Sequence, residues 1–168
     1  MEQYYDLKKT NRIRIKAGSR LPLENLKNGE IFADRQYFSG NSAYMKTEDS
    51  VADGIRCINL SNGHSLVLKR DSLQETVRSF NIEVNGNTYA GSPKYLPVGS
   101  IISFNGLTGE KFIKAVISHS VQGKDGFPET VHDIKYYSLS KGIGLTETDA
   151  DIIDMPVTVY DAEFSLVV

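Results

Sequence analysis

Three histidines, His64, His119 and His132, one cysteine, Cys57, and an acidic run from Glu147 to Asp154 are the residues whose types could do chemistry in this chain. The histidines show no His-x-His or His-x3-His spacing, and a single cysteine cannot supply a Cys-x2-Cys pair, so a zinc site is not expected. His119 falls in an alternating run and His64 at a turn, places where a lone histidine is more often structural or exposed than a ligand. Glu147, Asp149, Asp151 and Asp154 offer oxygen ligands close to alternate positions, as a hard cation such as calcium requires. No glycine sits at the turn of that run and no Glu follows at the EF-hand distance, so a solvated acidic loop is the preferred reading. Glu48-Asp49 with Asp53 is a weaker version of the same idea. No Gly-x-Ser-x-Gly elbow is present, nor a Gly-x4-Gly-Lys-Ser/Thr or Gly-x-Gly-x2-Gly phosphate loop. Cys57 lies in a strand-like run, so it reads as a small core residue, with Arg56 on the opposite face and unable to activate it. No catalytic residue, metal or cofactor is therefore expected. A carboxylate pair or a His–Asp pair could still converge through the fold, and a hydrolase would need a pocket where they do.

The elements that would position such residues read as strands. Arg12-Ile13-Arg14-Ile15-Lys16 alternates strictly, the period-2 signature of a strand with one apolar face. Leu21, Pro22, Leu23 and Leu26 suggest an extended lead-in or one short helical turn. Strands follow at Ile31-Phe32-Ala33, Ala43 to Thr47, Ile55 to Leu60 and Ser65 to Leu68, with Asn28-Gly29 and Ser61-Asn62-Gly63 as turns. Residues 71–79, DSLQETVRS, are the best helix candidate, with Asp71 or Ser72 as cap and Glu75 behind it; a connector between two β modules is the preferred reading. Beyond it, strands are expected at Phe80 to Val84, Thr88 to Ala90, Ser100 to Phe104, Phe112 to Val121, Val131 to Leu139 and Met155 to Val168. Asn85-Gly86-Asn87, Asn105-Gly106 and Gln122 to Gly126 would be the turns between them. The final strand, ending in Phe164-Ser165-Leu166-Val167-Val168, should be central in its own sheet or complete a neighbour's.

This pattern predicts an all-β fold: a basic N-terminal arm at 1–20, a small β-barrel-like module at 21–71, and a β-sandwich or jelly-roll-like domain at 80–168. With 168 residues the chain can bury enough surface to need neither metal nor disulfide. Its charge of −2 argues against a nucleic-acid binder by net electrostatics. No apolar run approaches the length of a membrane span, and the first residues lack the apolar stretch of a signal peptide. A lone cysteine fits a reducing compartment.

Charge is segregated along the sequence. Residues 1–20 hold six basic against two acidic residues, whereas no basic residue follows Lys141 and six acidic ones do. The two ends could pair within one molecule or between neighbours in an assembly. Nine Tyr and seven Phe without Trp include the pairs Tyr4-Tyr5, Tyr37-Phe38 and Tyr136-Tyr137. Strand alternation would place one of each pair in a core and leave the other exposed, where Tyr serves an interface well. The candidate partner-binding residues are therefore Tyr4, Tyr5, Arg12, Arg14, Lys16, Arg20 and Tyr136.

The stretch Leu21 to Leu68 carries Gly29-Glu30-Ile31-Phe32, then Tyr44-Met45-Lys46-Thr47, then Ile58-Asn59-Leu60-Ser61-Asn62-Gly63. That order resembles small β modules of tailed-bacteriophage virion proteins, found in head decoration, head fibre and tail proteins. The resemblance covers less than a third of the chain. It implies a non-enzymatic structural protein of the virion, assembled in the host cytoplasm, with phage capsid or tail proteins as partners. It also implies a homo-oligomer, trimers being common among such proteins, with no nucleic-acid or membrane partner. The alternatives to a head decoration or head-fibre base protein are a tail or neck structural component and a carbohydrate-binding or adhesin module, the last of which would carry a shallow Tyr- and Asp-lined groove on the third zone.

Overall fold

Branched and aromatic residues, punctuated by glycine and asparagine, turn almost every described segment of this chain into strand. The computed structural model describes residues 12–16, 20–33, 43–52, 54–76, 79–105, 110–146 and 155–167. Its strands are β1 (Arg12–Lys16), β2 (Arg20–Pro22), β3 (Ile31–Ala33), β4 (Ala43–Val51), β5 (Gly54–Asn59), β6 (Ser65–Leu68), β7 (Leu73–Thr76), β8 (Ser79–Ala90), β9 (Ile101–Phe104), β10 (Phe112–Gln122), β11 (Pro128–Ser138), β12 (Gly144–Thr146) and β13 (Val157–Val167). The one helical piece among the described residues is a 3-10 turn, Leu23–Asn25, where a short turn was expected. No helix there is long and apolar enough to cross a membrane.

Two sheets result. The first runs β2-β7-β3-β4-β5-β6, and the second β1-β13-β9-β10-β11-β12, with β8 on the other side of β13. They face each other across a shared core in which Ile31, Met45, Ile58 and Leu60 of the first meet Ile101, Ile113, Ile117, Tyr137 and Phe164 of the second. Segments 21–71 and 80–168 thus supply most of the two layers of one sandwich-like body. Pairing between the outer strands β2 and β6, which would close the first sheet into a barrel, is not seen among the described residues.

Each sheet is also covered on its outer face. Leu23 and Leu26 lie over Phe32, Tyr44 and Cys57. On the second sheet, Phe104 packs edge-on against Phe112 and Tyr136, with centroids 5.2 and 5.6 Å apart, and Leu96 lies against this cluster. A buried lysine pins each cover. The ammonium of Lys114 donates to the carbonyls of Pro93, Lys94 and Leu96 at 2.9, 2.9 and 2.8 Å. That of Lys46 donates to the Leu26 carbonyl at 2.5 Å, and burial lowers its pKa. A buried ammonium is tolerated only when its donors are met; here carbonyls left over by irregular backbone meet them.

The sheets also touch through backbone at turns where only glycine fits. Gly63 has φ +74°, and a Cβ there would sit 2.4 Å from the Lys114 carbonyl oxygen. The Gly63 carbonyl in turn accepts from the Val116 N–H at 3.0 Å. Gly29, with φ +85°, meets the backbone of Ser140 and Lys141 in the same way.

Three expectations are corrected, and one strand was not foreseen. Residues 73–76 form β7, neither the candidate helix nor the connector preferred over it; β7 fills the gap between β2 and β3, pairing Arg20 with Glu75 and Phe32 with Thr76. Sheet pairing outweighs a capping signal too short to nucleate a helix alone. Phe80–Val84 and Thr88–Ala90 are not two strands of a hairpin but parts of β8. Its register against β13 shifts where Asp161 opposes Gly86 and Ala162 opposes Val84, so Asn85-Gly86 makes a bulge. Tyr136 and Tyr137 are both buried, because the second sheet is covered on both faces. Tyr136 consequently offers no ring to a partner. The short strand β12, at Gly144–Thr146, had no sequence signal and pairs with β11.

Candidate functional site

The residues expected to touch a partner are dispersed. Tyr4 and Tyr5 lie outside the described residues, as do Tyr37, Phe38, Asp53 and the acidic run 147–154. Arg12, Arg14 and Lys16 belong to β1, which pairs in parallel with β13, Arg12 opposite Glu163 and Lys16 opposite Val167. One strand from each charged end of the sequence, β1 and β13, therefore lies beside the other in one molecule. Arg20 is at the start of β2, opposite Glu75. β13 is central, flanked by β8 on one side and by β9 and β1 on the other.

A different group of polar side chains converges where the two sheets meet. It begins with a bulge in β4. Lys46 pairs with Cys57 and Ser50 with Ile55, so Thr47, Glu48 and Asp49 all oppose the single residue Arg56. The Thr47 hydroxyl holds the bulge, donating to the Arg56 carbonyl at 2.8 Å and accepting from the Asp49 N–H at 3.1 Å. A bulge re-aims a side chain, and here it turns Asp49 towards β11. One oxygen of Asp49, Oδ2, accepts from the Tyr137 hydroxyl and from Lys135 Nζ at 3.1 Å. The Arg56 guanidinium stands 3.6 Å from the same oxygen.

Burial alone would push the Asp49 carboxyl up; the Tyr137 hydroxyl and the Lys135 ammonium, with Arg56 behind them, outweigh it and lower its pKa. Tyr137 is raised well above the ordinary phenol range, first by burial and then by its bond to the carboxylate. Asp49 is thus an anion and Tyr137 a neutral donor throughout the neutral range.

Beside this group opens a cleft of about 680 Å³ lined by Arg56, Ile117, His119, Asp133, Ile134, Lys135 and Thr146. His119 Nε2 is 3.5 Å from Asp133 Oδ2 on the same face of the β10–β11 ladder. A His–Asp pair in a cleft is the arrangement a hydrolase would need. Of the described residues that line this cleft, Thr146 is the one that carries a hydroxyl. The other histidine contact, Ser118 Oγ to His132 Nδ1 at 2.7 Å, lies on the opposite face of the ladder by strand alternation. The described residues contain no group of three or more His, Cys, Asp or Glu side chains placed to hold a metal ion.

Sequence reasoning passed over Asp49, Arg56, Lys135 and Tyr137 as a group. Tyr137 and Asp49 are 88 residues apart, and no local pattern joins them. The residues that carried the virion resemblance prove to be structural positions: Gly29 and Gly63 at the inter-sheet turns, Tyr44 in the outer core, Lys46 beneath the 3-10 turn, Thr47 at the bulge. Comparison of the chain with family models, curated proteins and solved structures gave no significant match.

Proposed function

We propose that this chain is a non-enzymatic structural protein of a tailed-phage virion that binds copies of itself and a capsid or tail protein, as a head decoration or head-fibre base protein does. The observation that carries the binding part of this reading is β8. It is a twelve-residue strand that pairs with β13 alone among the described residues. Residues 83–89 are exposed, with Val84 at 43% and Tyr89 at 76%. Soluble proteins blunt such edges with Lys, Pro or bulges. β8 holds neither Lys nor Pro, and its one bulge, at Asn85, leaves a paired run on each side. An edge of this kind suits strand addition, in which backbone bonds give affinity and alternate side chains give choice of partner. Phe127 and Val121, exposed at the tip of the β10–β11 hairpin, add apolar area. The virion setting rests on the sequence resemblance alone.

Light scattering at two concentrations tests the reading. The chain should form a closed oligomer, a trimer or larger, built from its 18.7 kDa protomer. Val84→Lys with Tyr89→Lys places charge on the exposed edge and should return it to monomer with its melting temperature unchanged. A monomer at both concentrations for the unaltered chain would overturn self-assembly. A second reading, a carbohydrate-binding module, draws on the polar cleft, which supplies the Asp expected of such a groove but, among the described lining residues, not the Tyr.

A further inference from the structure

We propose that the cleft between β5 and the β10–β11–β12 face binds a carboxylated sugar, such as a hexuronic acid unit. The inference does not depend on self-assembly, since the cleft is built within one chain.

Its floor carries two cations, Arg56 and Lys135, which among the described residues share the single carboxylate of Asp49. Arg56, only 15% exposed, has five N–H donors, and its contact with Asp49 at 3.6 Å is too long for a hydrogen bond. Asp49 is already committed to Lys135 and Tyr137 through that same oxygen. Two cations therefore share one carboxylate oxygen at the floor, while the second carboxylate, Asp133, stands on the wall. A guanidinium so placed suits the planar, two-pronged fit of a ligand's carboxylate.

The walls set the rest of the ligand. Their character is polar, since Ile117 is buried in the inter-sheet core and Ile134 packs with the outer cluster on the other face of the ladder. Asp133, 60% exposed, and His119 beside it present an acceptor and an imidazole at hydroxyl-binding distance from each other. Asp133 also repels a doubly charged phosphate, so a singly charged carboxylate is favoured. The volume, about 680 Å³, lies inside the roughly 300–1,000 Å³ of small-molecule sites. A bare anion would use the floor only, and a neutral sugar the walls only. A carboxylated sugar uses both.

The test is a titration of the full isotope-labelled chain followed by amide chemical shifts. The probes are glucuronate, galacturonate and N-acetylneuraminate, with glucose and acetate as controls at matched ionic strength. At least one acidic sugar should give saturable shifts at Arg56, Asp133, Lys135 and Thr146, with glucose and acetate weaker by about tenfold or more. Arg56→Gln should weaken that sugar by about tenfold. Asp133→Ala, at an exposed position where folding is not at risk, should weaken it by about threefold to tenfold. Acetate binding as tightly as the sugars would reduce the cleft to a simple anion site and overturn the proposal. So would shifts that cluster elsewhere, or no saturation with any probe.

Discussion

The β10–β11 hairpin is one antiparallel ladder with two unlike ends. Its eleven rungs run without a break from Phe112–Ser138 to Gln122–Pro128. At the inner end, residues 112–117 and 136–138 are buried, and alternate side chains enter the inter-sheet core on one face and the outer cluster on the other. At the outer end, residues 120–122 and 128–130 are exposed, although the backbone pairing is the same. Backbone bonds alone do not decide which part of a sheet is stable; covering both faces does. The polar cleft, with His119, Asp133 and Lys135, sits where the ladder passes from one regime to the other. A site there can be held by the rigid end and reached from the open one.

Substitutions at the two ends should therefore differ most. Tyr136→Ala removes a fully buried ring and should cost about 3–5 kcal/mol by denaturant unfolding. It should act on binding only through stability, because its ring meets no solvent.

Tyr137→Phe probes the junction. It removes one hydrogen bond to an ionised carboxylate, worth about 1.5–3 kcal/mol, and keeps the ring in the core. Its effect should depend on pH. Asp49 is held below its unfolded pKa of about 3.9, so its contribution to stability is complete above that value and is lost as pH falls through the lowered folded pKa. Tyr137 is raised above about 10; its contribution is complete below that value and is lost as pH rises towards the folded pKa. Asp49→Asn should flatten the acid limb of a stability–pH curve and weaken its alkaline limb without abolishing it, because burial still raises Tyr137 once the carboxylate is gone. An unchanged acid limb would mean that Asp49 is not the carboxylate that sets it.

The smallest effect belongs to the outer end. Phe127→Ala changes a side chain that is 70% exposed and should move stability by no more than about 0.5 kcal/mol. If it costs as much as Tyr136→Ala, the outer rungs are covered by something other than solvent and the contrast fails.

Much of the layering was legible in the sequence. Alternation placed β1, β5 and β10, strand-forming runs between turn signals placed β4, β6 and β13, and Asn28-Gly29 and Ser61-Asn62-Gly63 marked turns that the sheets use as contacts. Cys57 is buried as expected, with Arg56 on the other face. The failures have physical causes. A capping pattern could not show that residues 73–76 complete a gap in a sheet. An Asn-Gly pair reads alike for a turn and for a bulge, and the choice at Asn85 was made by the length of β13. Tyr136 read as half of an in–out pair because sequence does not reveal that a second layer covers the outer face. Least legible was the cleft, since Asp49, Arg56, Lys135 and Tyr137 meet only after the two sheets close and the β4 bulge turns Asp49 inward.

The most direct measurement is amide hydrogen exchange along the whole chain at two concentrations, one dispersed and one assembled. Inner amides of β10 and β11 should be protected at both, and outer hairpin amides should exchange quickly in the dispersed state. The outward amides of β8 should be fast when dispersed and slow when assembled. Fast exchange along β8 at both concentrations, with new protection appearing elsewhere, would contradict the assignment of β8 as the edge through which this protein assembles.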